Sequence, residues 1–126
     1  MKFLRKLKNW NDLADYPADS DIYSEGDPAE KLYVIISGEV ELTLGEDLLS
    51  SETTGGIIGE MAILEDAKQG ATASTLNDVR AARFNREQLK AFMIEDPEFS
   101  LHLMSSLAKR LRLVDEYITT DFTQDK

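Results

Sequence analysis

The sequence contains no cysteine, one histidine, one tryptophan and three prolines among its 126 residues. Without cysteine there is no disulfide framework and no thiolate chemistry, which fits a reducing cytoplasm, and we expect a cytoplasmic protein. Basic residues are also few, because 14 Lys and Arg stand against 24 Asp and Glu and give a net charge of −10. Clustered Lys and Arg are needed to bind a phosphate backbone, so this balance argues against nucleic acid as a partner.

No apolar run is long enough to span a membrane, and the basic start lacks the apolar core of a signal peptide. The single histidine, His102, lies among apolar residues. No nucleophile lies beside a base, and no His/Cys/Asp spacing suits a metal. We therefore expect no enzyme activity, no metal and no cofactor. Length and the 42% hydrophobic content predict one domain over residues 1–126.

Apolar residues at helical spacing begin the chain and predict a short amphipathic helix over about residues 2–14. The first ten residues carry four basic and no acidic side chains, so the rest of the chain has a charge of −14. We expect this helix to dock on the domain; binding to an anionic membrane surface is the alternative.

The middle of the chain alternates short apolar segments with turn signals and predicts about eight strands. Residues 39–44 alternate strictly between polar and apolar side chains, as in a half-buried strand. Two helices follow: Asn85 and Gln88 form a capping-box pattern, and Asp96-Pro97 separates the helices. Many short strands with helices at one end predict an α+β barrel or sandwich.

The stretch 55–75, GGIIGEMAILEDAKQGATAST, predicts a strand, a tight turn, a short helix, a loop and a strand. A helix that starts after glycine leaves free backbone N–H groups, and these favour anions. We place the candidate ligand site here.

Three segments carry a family resemblance. Residues 26–40, GDPAEKLYVIISGEV, closely resemble the signature of the cyclic-nucleotide-binding domain. This domain is the effector module of catabolite-activator-type regulators and of cyclic-nucleotide-dependent kinase regulatory subunits. Residues 55–64 resemble the start of its phosphate-binding cassette, and residues 103–113 resemble its terminal helix.

The resemblance covers roughly residues 16–115 and implies an antiparallel jelly-roll β-barrel of the cupin-type double-stranded β-helix class. The barrel would span about residues 16–84 and a hinged helix pair about residues 86–118. We expect no DNA-binding domain in this chain. The resemblance also implies a ligand, cAMP or cGMP. The implied ligand-binding residues are Gly59, Glu60, Met61, Ala62, Gln69, Gly70 and Ala71.

In the family, backbone N–H groups at the positions of Glu60, Met61 and Ala62 hold the cyclic phosphate, and the carboxylate matching Glu60 accepts the ribose 2′-OH. The arginine that neutralises the phosphate is replaced here by Gln69, whose amide is neutral. Losing about 3 kcal/mol of charge-assisted hydrogen bonding weakens binding about 100-fold. We expect the neighbouring Lys68 to point into solvent.

Glu60 has two interpretations: it is a ribose ligand, or it is a carboxylate held by backbone N–H groups and by Gln69. The last helix also has two interpretations, because the seam of apolar residues along one side of it either forms a homodimer interface or packs on its own barrel. We favour the dimer. The residues of this seam are Met104, Leu107, Leu111, Val114 and Ile118.

Two functions follow from the resemblance. The first is a regulatory sensor that binds a cyclic nucleotide or another small ligand and signals by moving its C-terminal helices. The second is a ligand-independent interaction module that dimerises through the last helix and docks on a protein partner through its basic start. Gln69 favours the second, and the intact motif at residues 59–62 favours the first.

Overall fold

The computed structural model describes residues 1–124, excluding the side chains of 114 and 117–124. Within this part, the chain forms four helices and eight strands. In chain order they are α1 (Lys2–Leu7), β1 (Leu13–Tyr16), β2 (Asp21–Tyr23), β3 (Leu32–Ser37), β4 (Val40–Leu44), β5 (Asp47–Glu52), β6 (Ile57–Ile58), α2 (Glu60–Glu65), β7 (Thr72–Thr75), β8 (Val79–Phe84), α3 (Arg86–Glu95) and α4 (Pro97–Gln124).

The strands form two antiparallel sheets of four strands each. One has the order β1-β8-β3-β6 and the other β2-β7-β4-β5. The jelly-roll architecture with a C-terminal helix pair is confirmed. The β-barrel of this fold consists of the two sheets and is not closed, because no ladder of paired strands joins β1 or β6 to an edge of the second sheet within the described residues.

The core has two parts, and β3 contributes to both because its side chains alternate between faces. Val34 belongs to a cluster beneath the helices, whereas Ile35 belongs to a cluster between the sheets, and both are fully buried. Aromatic rings dominate the helical cluster: Phe92 and Phe99 meet edge to face with centroids 4.8 Å apart. Phe84 of β8 lies 5.5 Å from Phe92 and 5.9 Å from Phe99 between ring centroids, so the helix pair packs on the first sheet.

The first helix is shorter than predicted, since α1 ends at Leu7 and the chain continues into β1. Trp10 stacks on Phe84 with centroids 4.4 Å apart, and its Nε1 donates to the Arg83 carbonyl over 2.8 Å. This anchor brings the next residues alongside β8, where they pair as a strand. Phe3 is buried in the core together with Leu7, so α1 docks on the domain.

The C-terminal helices have the predicted caps. Gln88 N donates to Asn85 Oδ1 over 2.8 Å, and Asn85 N donates to Gln88 Oε1 over 2.9 Å, which completes the capping box. Asp96 Oδ1 accepts from Phe99 N at the start of α4, and its Oδ2 lies 3.2 Å from Lys6 Nζ. Helix α4 extends beyond the predicted end near residue 118. Among residues 1–124, no helix is long and apolar enough to cross a membrane.

Candidate functional site

The cassette begins where β6 turns into α2 at Gly59. This residue has a φ of +78°, in the left-handed region that favours glycine. A Cβ at this position would lie 3.2 Å from the Lys31 carbonyl oxygen and 3.5 Å from Gln69 Nε2. The dihedral angle therefore favours glycine here, and the tight approach of the Lys31 carbonyl adds to this preference at the start of α2.

The far end of α2 is held by α3. Asp66, with a φ of +54°, ends the helix. Arg86 Nη1 then donates to the carbonyls of Ile63 and Leu64 over 3.2 and 3.3 Å. A guanidinium at a helix C-terminus satisfies carbonyls that lack helical partners. Arg86 thus joins the cassette helix directly to the C-terminal helix pair.

The loop after α2 is fixed by its backbone. Gln69 N donates to the Asp27 carbonyl, and Gly26 N donates to the Gln69 carbonyl, both over 2.8 Å. Nearby, Glu25 N donates to Thr72 Oγ1 over 2.9 Å. These bonds tie the loop to the turn between β2 and β3 and leave the Gln69 side chain 5% exposed beside Gly59.

A cavity of about 250 Å³ lies between the cassette, the second sheet and α4. All seven predicted ligand-binding residues line it, so the structure brings them together; their role in binding stays a prediction. Lys68 also lines the cavity and is exposed, close to the solvated position expected. The full lining is Tyr23, Leu42, Leu49, Ser50, Gly59, Glu60, Met61, Ala62, Glu65, Ala67, Lys68, Gln69, Gly70, Ala71, Arg110 and Leu113.

Arg110 of α4 is the site residue that the sequence interpretation missed. Its Nη2 donates to the Ile57 carbonyl over 2.8 Å and to Glu52 Oε1 over 3.3 Å, and its Nη1 donates to Ser50 Oγ over 3.4 Å. Its Nε lies 3.5 Å from Glu60 Oε1. A signal was present, because Arg110 continues the inward-facing side of α4, and a charge there needs a buried partner.

The structure gives Glu60 a partner that neither interpretation of its sequence position included, and both interpretations stay predictions. It is 2% exposed, and its nearest cation is Arg110 of the last helix. Burial raises the pKa of the Glu60 carboxyl, whereas the positive charge of Arg110 opposes the rise. Burial also raises the pKa of the Tyr23 hydroxyl, which lines the same cavity. The inner wall of the cavity thus contains a buried acid, Glu60 of α2, and a largely buried arginine, Arg110 of α4.

Comparison with known proteins shows which family this chain belongs to. A sequence model of the cyclic nucleotide-binding domain matches residues 13–96, two thirds of the chain. The chain belongs to the cyclic nucleotide-binding domain family. The cassette lies within the matched residues, and Arg110 lies beyond them.

Relatives of two kinds share this domain. The chain is 33% identical over 103 residues to a CRP-like cAMP-activated global transcriptional regulator of Mycobacterium tuberculosis, covering 78% of this chain and 46% of the regulator. It is 33% identical over 95 residues to a cAMP-dependent protein kinase regulatory subunit of Aspergillus niger, covering 72% of this chain and 23% of the subunit. The chain therefore spans less than half the length of these relatives.

A solved structure shows the same fold. The catabolite activator protein of Thermus thermophilus superposes with a TM-score of 0.72 at 29% identity, covering 86% of this chain and 54% of that protein. The family resemblance proposed from residues 26–40, 55–64 and 103–113 is confirmed.

The residues of the seam predicted on α4 differ in their exposure to solvent. Met104 and Leu111 are 54% and 59% exposed, whereas Leu107 packs against the helical core cluster. The side chains of Val114 and Ile118 lie outside the described residues. Leu101, also exposed, lies one turn before Met104. The dimer interface stays a prediction; of its residues, Met104 and Leu111 are exposed, and Leu101 extends their apolar stripe.

No group of three or more His, Asp or Glu side chains that could hold a metal ion is found in the described part of the chain.

Proposed function

We propose that this domain is a non-catalytic regulatory sensor that binds a cyclic nucleotide, cAMP or cGMP, or a related small ligand in the cassette cavity. The observation that carries the proposal is the cavity itself. It gathers the seven cassette residues of the family site and is closed on one side by Arg110 and Leu113 of α4. The cAMP-activated regulator and the cAMP-dependent kinase subunit among the relatives support this ligand class.

Signalling would pass through the C-terminal helices, because they contact the cassette at two points. Arg86 of α3 binds the end of α2, and Arg110 of α4 contacts Glu60 at its start. A ligand that changes the Glu60 environment acts on the same carboxylate that faces α4. The position of the helix and the occupancy of the cavity are then thermodynamically linked.

The alternative is a ligand-independent interaction module. It is favoured by the neutral amide of Gln69 and by the existing contacts of Arg110 with Glu52 and Glu60. In that case the helices would be held in place without ligand. Docking of a protein partner on the basic first helix belongs to this alternative, because the side chains of Lys2, Arg5 and Lys8 are exposed.

Isothermal titration calorimetry of the native chain with cAMP and with cGMP separates the two functions. The sensor predicts saturable binding at micromolar ligand. Absence of binding in the native chain, with binding in Gln69→Arg, would support the alternative and assign the loss to residue 69. Absence in both would exclude a sensor of cAMP or cGMP.

Two further properties belong to the proposal. A homodimer through α4 would use the exposed stripe of Leu101, Met104 and Leu111. A cytoplasmic location would fit the lack of cysteine.

A further inference from the structure

An anionic ligand in this cavity needs a cation, and the cassette loop offers a neutral amide at residue 69. Two cationic residues, Lys68 and Arg110, line the cavity in the described part of the chain. Lys68 is exposed and strongly hydrated, so it offers a weak and mobile contact. The side chain of Arg110 is 11% exposed and is held in a fixed orientation by β5 and β6.

The hydrogen bonds of Arg110 leave its Nε–H without a partner among the described residues. Its two terminal nitrogens donate to Ile57, Glu52 and Ser50. Its Nε is buried and has no hydrogen-bond partner, although the Glu60 carboxylate lies 3.5 Å away. A buried N–H without a partner is unfavourable, and an acceptor supplied by a ligand would satisfy it.

The acids around Arg110 also have a second cation nearby. Lys109 Nζ lies 3.6 Å from Glu52 Oε1, so Glu52 has a second cation. Burial raises the pKa of Glu60, although the positive charge of Arg110 opposes the rise. Glu52 and Glu60 thus lie beside two cations, Lys109 and Arg110, and of these two it is Arg110 that lines the cavity.

We propose that Arg110 supplies the cationic contact for the anionic group of the ligand, in place of the residue at position 69. The inference rests on the proposed sensor function and adds to it the source of the charge. Because the cation belongs to α4, the ligand is held between cassette and helix, and its affinity includes the docking of that helix.

The test measures the affinity for cAMP by calorimetry in the native chain, Arg110→Met and Lys109→Met. The last is the matched control: it removes one positive charge next in sequence and contacts the same Glu52, but it does not line the cavity. We expect Arg110→Met to weaken cAMP binding 10- to 100-fold, as loss of a hydrogen bond to a charged group does, and Lys109→Met to change it less than threefold.

Uncharged adenosine distinguishes charge recognition from damage to the cavity. In Arg110→Met the affinity for adenosine should change much less than that for cAMP. Arg110→Lys keeps the charge without the fixed Nε–H and should give an intermediate cAMP affinity. The double variant Gln69→Arg/Arg110→Met should recover cAMP binding, because the charge returns from the cassette.

The outcomes distinguish failure of the proposed role of Arg110 from failure of the proposed sensor function. Native binding of cAMP that survives Arg110→Met and Arg110→Lys unchanged overturns the role of Arg110 and leaves the sensor function intact. Binding in Gln69→Arg but not in the native chain also overturns it, since Arg110 alone would then be insufficient. No binding of cAMP in either chain overturns both the role of Arg110 and the assignment of cAMP as the ligand.

Discussion

The Nε of Arg110 and the Oε1 of Glu60 lie 3.5 Å apart at the inner wall of the cavity, one from the last helix and one from the cassette helix. Both side chains are removed from water, with exposures of 11% and 3%. A buried ion pair has little net effect compared with apolar residues, but breaking it by removing one partner is costly. The contact therefore fixes the position of α4 relative to the cassette.

Replacing Arg110 by Met should destabilise the fold by about 3 kcal/mol, because it leaves the Glu60 and Glu52 carboxylates without their shared cation. The double variant Arg110→Met/Glu60→Gln should be less destabilised than the two single changes predict, with a coupling of about 1–3 kcal/mol. Urea unfolding at pH 7 measures both. Lys109→Met is the control, and an equal loss in that variant would contradict the assignment.

Gly59 and Gly70 provide a paired test of the cassette backbone. Gly59→Ala should cost about 1–2 kcal/mol because of its positive φ, with further cost from the Lys31 carbonyl 3.2 Å from the new Cβ. Gly70→Ala should leave stability nearly unchanged, since its φ is ordinary and no atom lies within 4 Å of a Cβ there. Thermal unfolding of both variants measures the difference. Equal effects would show that Gly59 is not conformationally required.

The cassette could be predicted from the sequence because its parts are close along the chain. Glycine at the start of a short helix and small residues before β7 define the local backbone almost alone. The helical spacing indicates that Arg110 faces inward, but its partners could not be predicted, because they lie on β5, β6 and α2 and are distant in sequence. Arginine on a helix also usually faces water. Predicting the role of Arg110 requires knowledge of the tertiary structure, which brings α4 over the cavity.

The start of the chain shows the same limit. The apolar spacing of residues 3–10 predicted a helix correctly, but the pattern alone could not locate its end. Pairing with β8 decides the conformation of Leu13 and the residues after it, and it depends on a strand near the other end of the domain. Tertiary hydrogen bonds there override the local preference.

Arg86 should couple the cassette to the helix pair. In Arg86→Met the carbonyls of Ile63 and Leu64 lose their donor, so the end of α2 should open more often. Hydrogen exchange should become about 5- to 10-fold faster in residues 62–69, as expected for a loss of about 1 kcal/mol. Lys90→Met, on the same helix and paired only with exposed Glu87 among the described residues, should leave this exchange unchanged. Equal acceleration in both variants would contradict the coupling.

Asp12 should make stability depend on pH in the acid range. The hydrogen bonds from Arg83 are the main cause that lowers the pKa of Asp12. A lowered pKa in the folded state means that the stabilisation is present above the unfolded value of about 3.9 and is lost as the pH falls.

Asp12→Asn should therefore cost about 1–2 kcal/mol at pH 7 and progressively less below pH 4. Chemical unfolding from pH 2.5 to 7 checks the convergence of the two curves. Asp15→Asn is the control, because Asp15 also pairs with an arginine, Arg80, but both are exposed and its effect should be smaller. A difference between native and Asp12→Asn that does not shrink in acid would contradict the role of the ionised carboxylate.

The proposed dimer predicts different effects for substitutions on the two faces of α4: changes in association on one face and changes in monomer stability on the other. Leu111→Glu places a charge in the exposed stripe, where a two-fold axis would bring it close to its own copy, and should weaken association at least 10-fold. Leu107→Ala should instead reduce monomer stability, because Leu107 packs against the core. Ile94→Glu is the control, since Ile94 is 83% exposed on α3 and away from the stripe. Sedimentation equilibrium should show a dimer for the native chain and Ile94→Glu and a shift to monomer for Leu111→Glu. A native chain that stays monomeric at high concentration would exclude the α4 dimer.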